Sequence, residues 1–285
     1  MRWLALVVLI GCGRVDFNTR VDALGPWSAP ERVVELSSAS AEDDPTLTAD
    51  MLEVYFNSSR PGGSGMGDVW VATRATTAEP FGTPTLVAVL DSASSDTTPE
   101  VSGDGLTLHF SSARPGGTGQ QDIYVTTRVS RSDVWPPPVR VPELASMAGD
   151  ESAVLSADSK QIYFDSERSN GVHDTIYMAT RPDRSAMWST PLLRTDLDGP
   201  GEEENPFIAT SDLSMWMTVD IAMTGNFDIY LATRPTPDAP FSAAQPISEL
   251  NTSSYDVDPW VSPDERTIYF ASTRDGASHI YRATR

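Results

Sequence analysis

A block of about fifty-three residues is written five times along this 285-residue chain. The phrase closing its third segment reads Asp68-Val-Trp-Val-Ala-Thr-Arg74, then Asp122-Ile-Tyr-Val-Thr-Thr-Arg128, Ile176-Tyr-Met-Ala-Thr-Arg181, Asp228-Ile-Tyr-Leu-Ala-Thr-Arg234 and His279-Ile-Tyr-Arg-Ala-Thr-Arg285. Aromatic residues that open the following segment fall at Trp27, Phe81, Trp135, Trp188 and Phe241. A second series marks the first segment at Pro45, Pro99, Ser152, Pro206 and Pro259, and both series keep a spacing of 53 or 54 residues. A fixed period of this length belongs to a propeller or a solenoid, where each unit buries its faces only against its neighbours.

Each unit divides into four short runs. The first, typified by Pro99-Glu-Val-Ser102, ends in a tight turn such as Gly103-Asp104-Gly105, Ala49-Asp50 or Pro263-Asp264, whose residues tolerate hairpin dihedrals. The second run, as in Leu52-Glu-Val-Tyr-Phe56 and Ile268-Tyr-Phe270, is apolar on both faces, which suits a sheet stacked between two others. The third is the Asp-Ile-Tyr phrase, rich in β-branched and aromatic residues. The fourth, Thr85-Leu-Val-Ala-Val-Leu90 and its counterparts, carries Pro142 in one copy and reads as an outer edge strand. No run has helical spacing of useful length, so the fold class is all-β.

The ends of the repeat select between the two architectures. Residues 27–37 form a fourth-strand segment with no first three before it, and the last unit stops after its third strand at Arg285. An N-terminal strand that completes the last blade closes a five-bladed β-propeller of four-stranded antiparallel blades. The repeat cores run over about 44–90, 98–144, 151–197, 205–250 and 258–285 with 27–37, all within a propeller spanning 27–285. A linear solenoid would need capping units, and none of the five looks like one.

Pro-x-x-Ser-x-Asp-Gly, an aliphatic-aromatic-Phe strand, Ser-x-Arg, Gly and Asp-Ile-Tyr, best seen in Pro99 to Tyr124 and Pro259 to Tyr281, together resemble the TolB-type, WD-like propeller repeat. The resemblance covers roughly residues 27–285. It implies a binding scaffold of the bacterial envelope that faces a protein or peptidoglycan partner. The chain departs from the TolB pattern in having five units rather than six and no separate N-terminal α/β domain.

The first residues resemble a targeting segment. Arg2 supplies one positive charge, Leu4 to Ile10 is a short apolar run, and Leu9-Ile-Gly-Cys12 resembles the lipobox of bacterial lipoproteins. That resemblance implies a signal peptide over 1–11, lipidation of Cys12 and a tether over 12–26. With Gly13 next, it also implies an outer-membrane location. Cys12 is the only cysteine, so no internal disulfide is expected. A formal charge of −20 argues against nucleic acid or anionic lipid as partners.

Acidic residues collect just before each first strand. Asp43, Asp44, Asp96, Asp150, Glu151, Glu203, Glu204, Asp256 and Asp258 are the candidate binding face, a carboxylate-rich mouth to the central channel. Calcium, which takes six to eight oxygens, is the one cofactor such a mouth suggests. The competing expectation is local pairing with Arg60, Arg114, Arg168 and Arg274, which recur after the second strand. The fourth unit places Ala222 at that point and Asn205 where Asp44, Glu151 and Asp258 stand elsewhere. Asp68, Asp122 and Asp228, at the start of the third strand, read as structural turn fasteners. The loops Pro61-Gly-Gly-Ser-Gly-Met-Gly67 and Pro115-Gly-Gly-Thr-Gly119 read as flexible, since they lack the continuation of a phosphate-binding loop.

His109, His173 and His279 are too far apart in register for a metal site, and no nucleophile elbow is present. Five-bladed glycosidases use two or three carboxylates in such a channel, which makes an enzyme the rival of a different class. The fourth unit departs most from the others, with Trp216 and Thr218 in the second strand and Ile221, Met223 and Phe227 in its loop as a candidate partner patch. The sequence expectation is a monomeric, lipid-anchored envelope propeller that binds a protein or cell-wall polymer without catalysis. The alternative is a carbohydrate-active propeller using its channel carboxylates.

Overall fold

The computed structural model describes residues 24–169 and 173–285. The signal segment, Cys12 and most of the 12–26 tether lie outside those residues. Five four-stranded antiparallel sheets form the five blades of a propeller. Blade 1 is built from Glu42–Leu47, Glu53–Ser58, Asp68–Thr73 and Thr85–Leu86; blade 2 from Asp96–Val101, Thr107–Ser112, Asp122–Thr127 and Val139–Arg140. Blade 3 is Asp150–Leu155, Gln161–Ser166, Thr175–Thr180 and Leu192–Leu193; blade 4 is Glu202–Ile208, Ser214–Asp220, Asp228–Thr233 and Gln245–Pro246. Blade 5 takes Asp256–Val261, Thr267–Ser272 and His279–Thr284 from the C-terminal end and Glu31–Arg32 from the N-terminal side. Glu31 faces Arg282 and Arg32 faces Tyr281 across that closing ladder.

The second strands are buried on both faces because a blade lies on each side. Val54, Tyr55 and Phe56 of blade 1 are all within 2% of full burial, and Ile268, Tyr269 and Phe270 of blade 5 within 1%. The outer strands are shorter than the sequence suggests. Each is two residues long, and after Val87 the chain folds into a turn that buries Leu90 completely.

In blades 1, 2 and 5 the outer segment is keyed to the preceding blade by its leading aromatic. Trp135 meets Tyr55 edge-on at 6.1 Å and donates from Nε1 to the Tyr55 hydroxyl at 3.2 Å. Phe81 meets Tyr269 at 6.5 Å, and Trp27 meets Trp216 at 6.0 Å. The Arg that ends each repeated phrase covers the aromatic that follows it, as Arg74 does Phe81 at 4.2 Å and Arg181 does Trp188 at 4.0 Å.

Every first strand carries a bulge at the same place. The register slips between Asp43 and Thr46, Thr97 and Glu100, Glu151 and Val154, Glu204 and Phe207, and Val257 and Trp260. The bulged residues Asp44, Thr98, Ser152, Asn205 and Asp258 have φ of 54°, 45°, 51°, 49° and 57°. This left-handed region is uncommon for residues with a Cβ, and its fivefold use marks a feature built into the blade. The register also corrects the repeat alignment: Ser152 is the counterpart of Asp44, and Ala153, one residue later, takes the place held by proline in the other units.

Candidate functional site: the carboxyl-lined mouth of the channel

The five bulges point their left-handed residues at the propeller axis, where their side chains line a space of about 30 Å3 with the following prolines and Phe207. That is room for water and for no larger ligand. A relay of hydrogen bonds runs round this ring from blade to blade. The Asp44 amide donates to the Asp258 carboxylate at 3.1 Å, and the Thr98 amide donates to the Asp44 carboxylate at 3.1 Å. The Ser152 amide donates to the Thr98 hydroxyl at 3.3 Å, and the Asn205 side-chain amide to the Ser152 hydroxyl at 3.2 Å. Two second-strand residues complete it: Asp165 accepts the Asn205 backbone amide at 3.0 Å, and the Thr218 hydroxyl accepts that of Asp258 at 3.2 Å.

Above the ring, carboxyls of blades 3 and 4 converge. Glu151 and Asp165 are cross-strand partners, and Gln121 donates to Glu151 at 2.7 Å. Asp174, Glu202 and Glu204 bring one oxygen each to within 4.8 Å of one another. Burial, then the Asp165 charge, pushes Glu151 and Glu204 each up to about 8, and the same causes push Asp174 to about 9. Burial, reinforced by Asp43, lifts Asp44 to about 7; Asp258 is raised well above the usual carboxylate range by burial and Asp44. Asp43 is likewise raised by burial. Burial raises Asp165 less, to about 6, because the Ser152 side chain and the Asn205 amide hydrogen-bond to it. At neutral pH the mouth therefore holds protonated and ionised carboxyls side by side, the arrangement that proton transfer requires. A divalent cation at this cluster would first have to displace the protons of Asp174 and Glu204.

The structure divides the acidic residues singled out in the sequence into two sets and leaves Glu203 apart, buried without an arginine. Asp43, Asp44, Glu151, Glu204 and Asp258 belong to the mouth. Asp96, Asp150 and Asp256 are fully buried and hold arginines: Arg114 reaches Asp96 at 2.7 Å, Arg168 reaches Asp150 at 2.5 Å and Arg274 reaches Asp256 at 2.5 Å. Arg60 pairs in the same way with buried Glu42 at 3.0 Å, not with Asp44. The expected pairing of these arginines with Asp44, Glu151 and Asp258 is thus displaced, by two residues at Asp44 and Asp258 and by one at Glu151. Regular alternation would put residues two apart on one face; the bulge breaks it, so the paired acid stays in the blade and the bulged residue faces the axis. The counterpart of Arg60 in blade 4 is Ile221 rather than Ala222, as the Val219–Asp228 and Ser58–Asp68 pairs align.

Asp122 accepts from the Thr118 amide at 2.8 Å and Asp68 from the Gly65 amide at 3.2 Å, whereas Oδ1 of Asp228 meets no partner. The glycine loops are fixed by contact: a Cβ on Gly63 would lie 1.8 Å from the Asp68 carboxylate, and one on Gly65 would lie 2.0 Å from the Ser94 carbonyl. Their glycines serve close approach of the loop to its neighbours. In the fourth-unit patch Ile221 and Met223 are 50% and 42% exposed, while Phe227 is half-buried against Tyr255 at 6.3 Å. His279 sits with Nδ1 2.7 Å from Glu42, far from any cluster with His109.

Asp165, Asp174 and Glu100 are site residues that sequence reasoning passed over. Asp165 is the one carboxylate at a second-strand position that carries Asn57, Ser111, Thr218 and Ala271 elsewhere, and that contrast was available in the aligned repeats. Glu100 lies inside the channel, accepts from Thr46 at 2.6 Å and is pushed by burial to about 8. It also lines a cavity of about 260 Å3 at the opposite end of the channel, with His109, Phe207 and Trp260. Burial drives His109 down to about 3, so it is neutral at neutral pH, and the Asp104–Arg184 ion pair supplies the charge in that cavity's lining.

No family model and no curated protein matches the chain in sequence. Solved structures do match its fold. TolB from Acinetobacter baumannii is 17% identical over 88% of this chain with a TM-score of 0.53, and the chain spans 56% of that protein. A thermostable family-43 glycoside hydrolase is 15% identical over 87% of this chain and 90% of its own length, with a TM-score of 0.58. A family 117 glycoside hydrolase of the marine bacterium Zobellia galactanivorans is 10% identical over 91% of this chain and 90% of its own, with a TM-score of 0.59. These likenesses concern the fold alone. They correct the expectation that the protein does no chemistry, because its architecture is as similar to that of named hydrolases as to TolB.

Proposed function

We propose that the protein is a carbohydrate-active propeller that works through the carboxyl groups at the mouth of its channel. One observation carries this reading: Glu151 and Glu204, pushed up to about 8, keep their protons at neutral pH beside Asp165, which at about 6 is largely ionised. Hydrolysis of a glycosidic bond needs such a pair, one carboxyl to protonate the leaving oxygen and one carboxylate to act on the sugar or its water. Glu204 and Glu151 are the proton donors in this scheme and Asp165 the base. The glycan lies across the mouth, since the space beneath the ring of Asp44 and Asp258 admits no sugar.

The test is a panel of glycans and peptidoglycan fragments with product analysis, run on the protein and on Glu204→Gln, Glu151→Gln and Asp165→Asn. Turnover of one glycan, reduced about 100-fold or more by each substitution, is the expected outcome. Capture without product would leave polymer recognition at the same mouth. Neither capture nor turnover would remove the carbohydrate reading altogether. An envelope location goes with this proposal, and incorporation of labelled palmitate that is lost in Cys12→Ala is its independent check.

A further inference from the structure

Four blades contain the same socket. In each, an arginine from the loop after the second strand donates Nε to a serine hydroxyl, at 3.1 Å from Ser58 for Arg60 and 2.8 Å from Ser112 for Arg114. One terminal nitrogen then bridges the buried acid and a leucine carbonyl, Leu36 for Arg60 and Leu90 for Arg114, each at 2.6 Å. The guanidinium lies against two aromatic rings, Phe110 and Tyr124 in blade 2 and Phe270 and Tyr281 in blade 5, at 4.9 to 5.1 Å. In blades 2, 3 and 5 the acid uses its second oxygen to accept an amide four residues earlier, from Ser92, Ser146 and Thr252 at 2.8, 2.6 and 2.6 Å.

Blade 4 keeps the acid and lacks the arginine. Glu203 stands in the place of Asp96 and accepts the Gly199 amide, four residues earlier, at 3.2 Å. Its other oxygen, Oε2, corresponds to the one that meets arginine elsewhere. It is buried without a hydrogen-bond partner, in a residue only 2% exposed. Ile221 takes the arginine's position, half exposed, and Val219 takes the serine's. Tyr230 keeps one aromatic wall and Met217 replaces the other, and Asp198 and Glu202 add negative charge nearby. An orphaned buried carboxylate is costly, and the cost is removed when a cation supplies the missing donor.

We propose that the blade 4 socket receives an arginine side chain from a partner protein, which completes in trans the acid–guanidinium pair that the other four blades make in cis. Guanidinium suits the place better than a metal ion because the chain itself fills four copies of the socket with that group. Ile221 and Met223, exposed on its rim, offer apolar contact to the residues flanking the incoming arginine.

The probe is acetyl-Leu-Arg-Leu-amide titrated into the full protein, with backbone NMR shifts read at 197–204 and 217–223. The lysine and citrulline counterparts run beside it. Binding of the arginine peptide at least tenfold tighter than the citrulline peptide, and lost in Glu203→Gln, is the expected result. Ile221→Arg, which supplies the guanidinium in cis, should abolish the shifts and raise the melting temperature. Equal binding of the citrulline peptide, arginine-peptide binding that persists in Ile221→Arg, or shifts produced by calcium and not by the peptide would each overturn the assignment.

Discussion

The Arg285 guanidinium lies 4.3 Å from the centre of the Trp27 ring, and its Nε donates to the Glu265 carbonyl at 2.7 Å. Arg74 and Phe81, Arg128 and Trp135, and Arg234 and Phe241 make the same contact within continuous stretches of chain, at 4.2, 4.2 and 4.4 Å. Ring closure thus reuses a contact that the other blades make locally.

Trp27→Ala should therefore destabilise the protein by about 3–5 kcal/mol, the usual cost of emptying a buried tryptophan site. Limited proteolysis should show early cuts within 256–285, because blade 5 loses the segment that covers it. A melting temperature within a degree of the parent would mean that the ladder of Glu31 and Arg32 alone closes the ring.

Much of this closure is legible in the sequence, because Trp27 and Arg285 carry the same signature as every other blade. The mouth is less legible. Asp44, Thr98, Ser152, Asn205 and Asp258 share a backbone conformation and a short polar side chain but no single residue type, so a comparison of letters does not group them. The arginine partners lie two residues from Asp44 and Asp258 and one from Glu151, since neighbouring acids look alike in sequence until the bulge sends one position to the axis and leaves another in the blade. Asp165 sits in a strand that reads as core, and its carboxylate stands out only once the five second strands are placed in register.

Stability should fall as pH rises from about 5 to about 8. Asp44, Glu151 and Glu204 hold their protons up to about 7, 8 and 8 when folded, whereas the unfolded chain releases them near 4. Across that window the folded state binds more protons, so each rise in pH favours unfolding. Thermal melts in low-salt buffer check this, and Glu151→Gln with Glu204→Gln should flatten the slope. A melting temperature that climbs over the same interval would contradict the protonated mouth.

Glu100→Gln should be nearly neutral at pH 6, within about 0.5 kcal/mol, because the carboxyl it replaces is protonated there and amide and acid are similar in shape. At pH 9 the variant should be the more stable, since the parent must then ionise a buried group. Paired melts at the two pH values decide it.

Arg114→Ala should cost about 3–5 kcal/mol, because it strands the fully buried Asp96 without its partner. Asp96→Asn combined with Arg114→Ala should recover part of that loss. Urea titration of the two single variants and the double measures the coupling.

The five bulges hold a backbone shape whose occupants are Asp, Thr, Ser, Asn and Asp. The axis of this propeller is therefore a register of interchangeable letters on a constant frame. A substitution at any one of them alters the polarity of the pore without re-threading a strand, so a lineage of such proteins can change what its channel attracts one blade at a time.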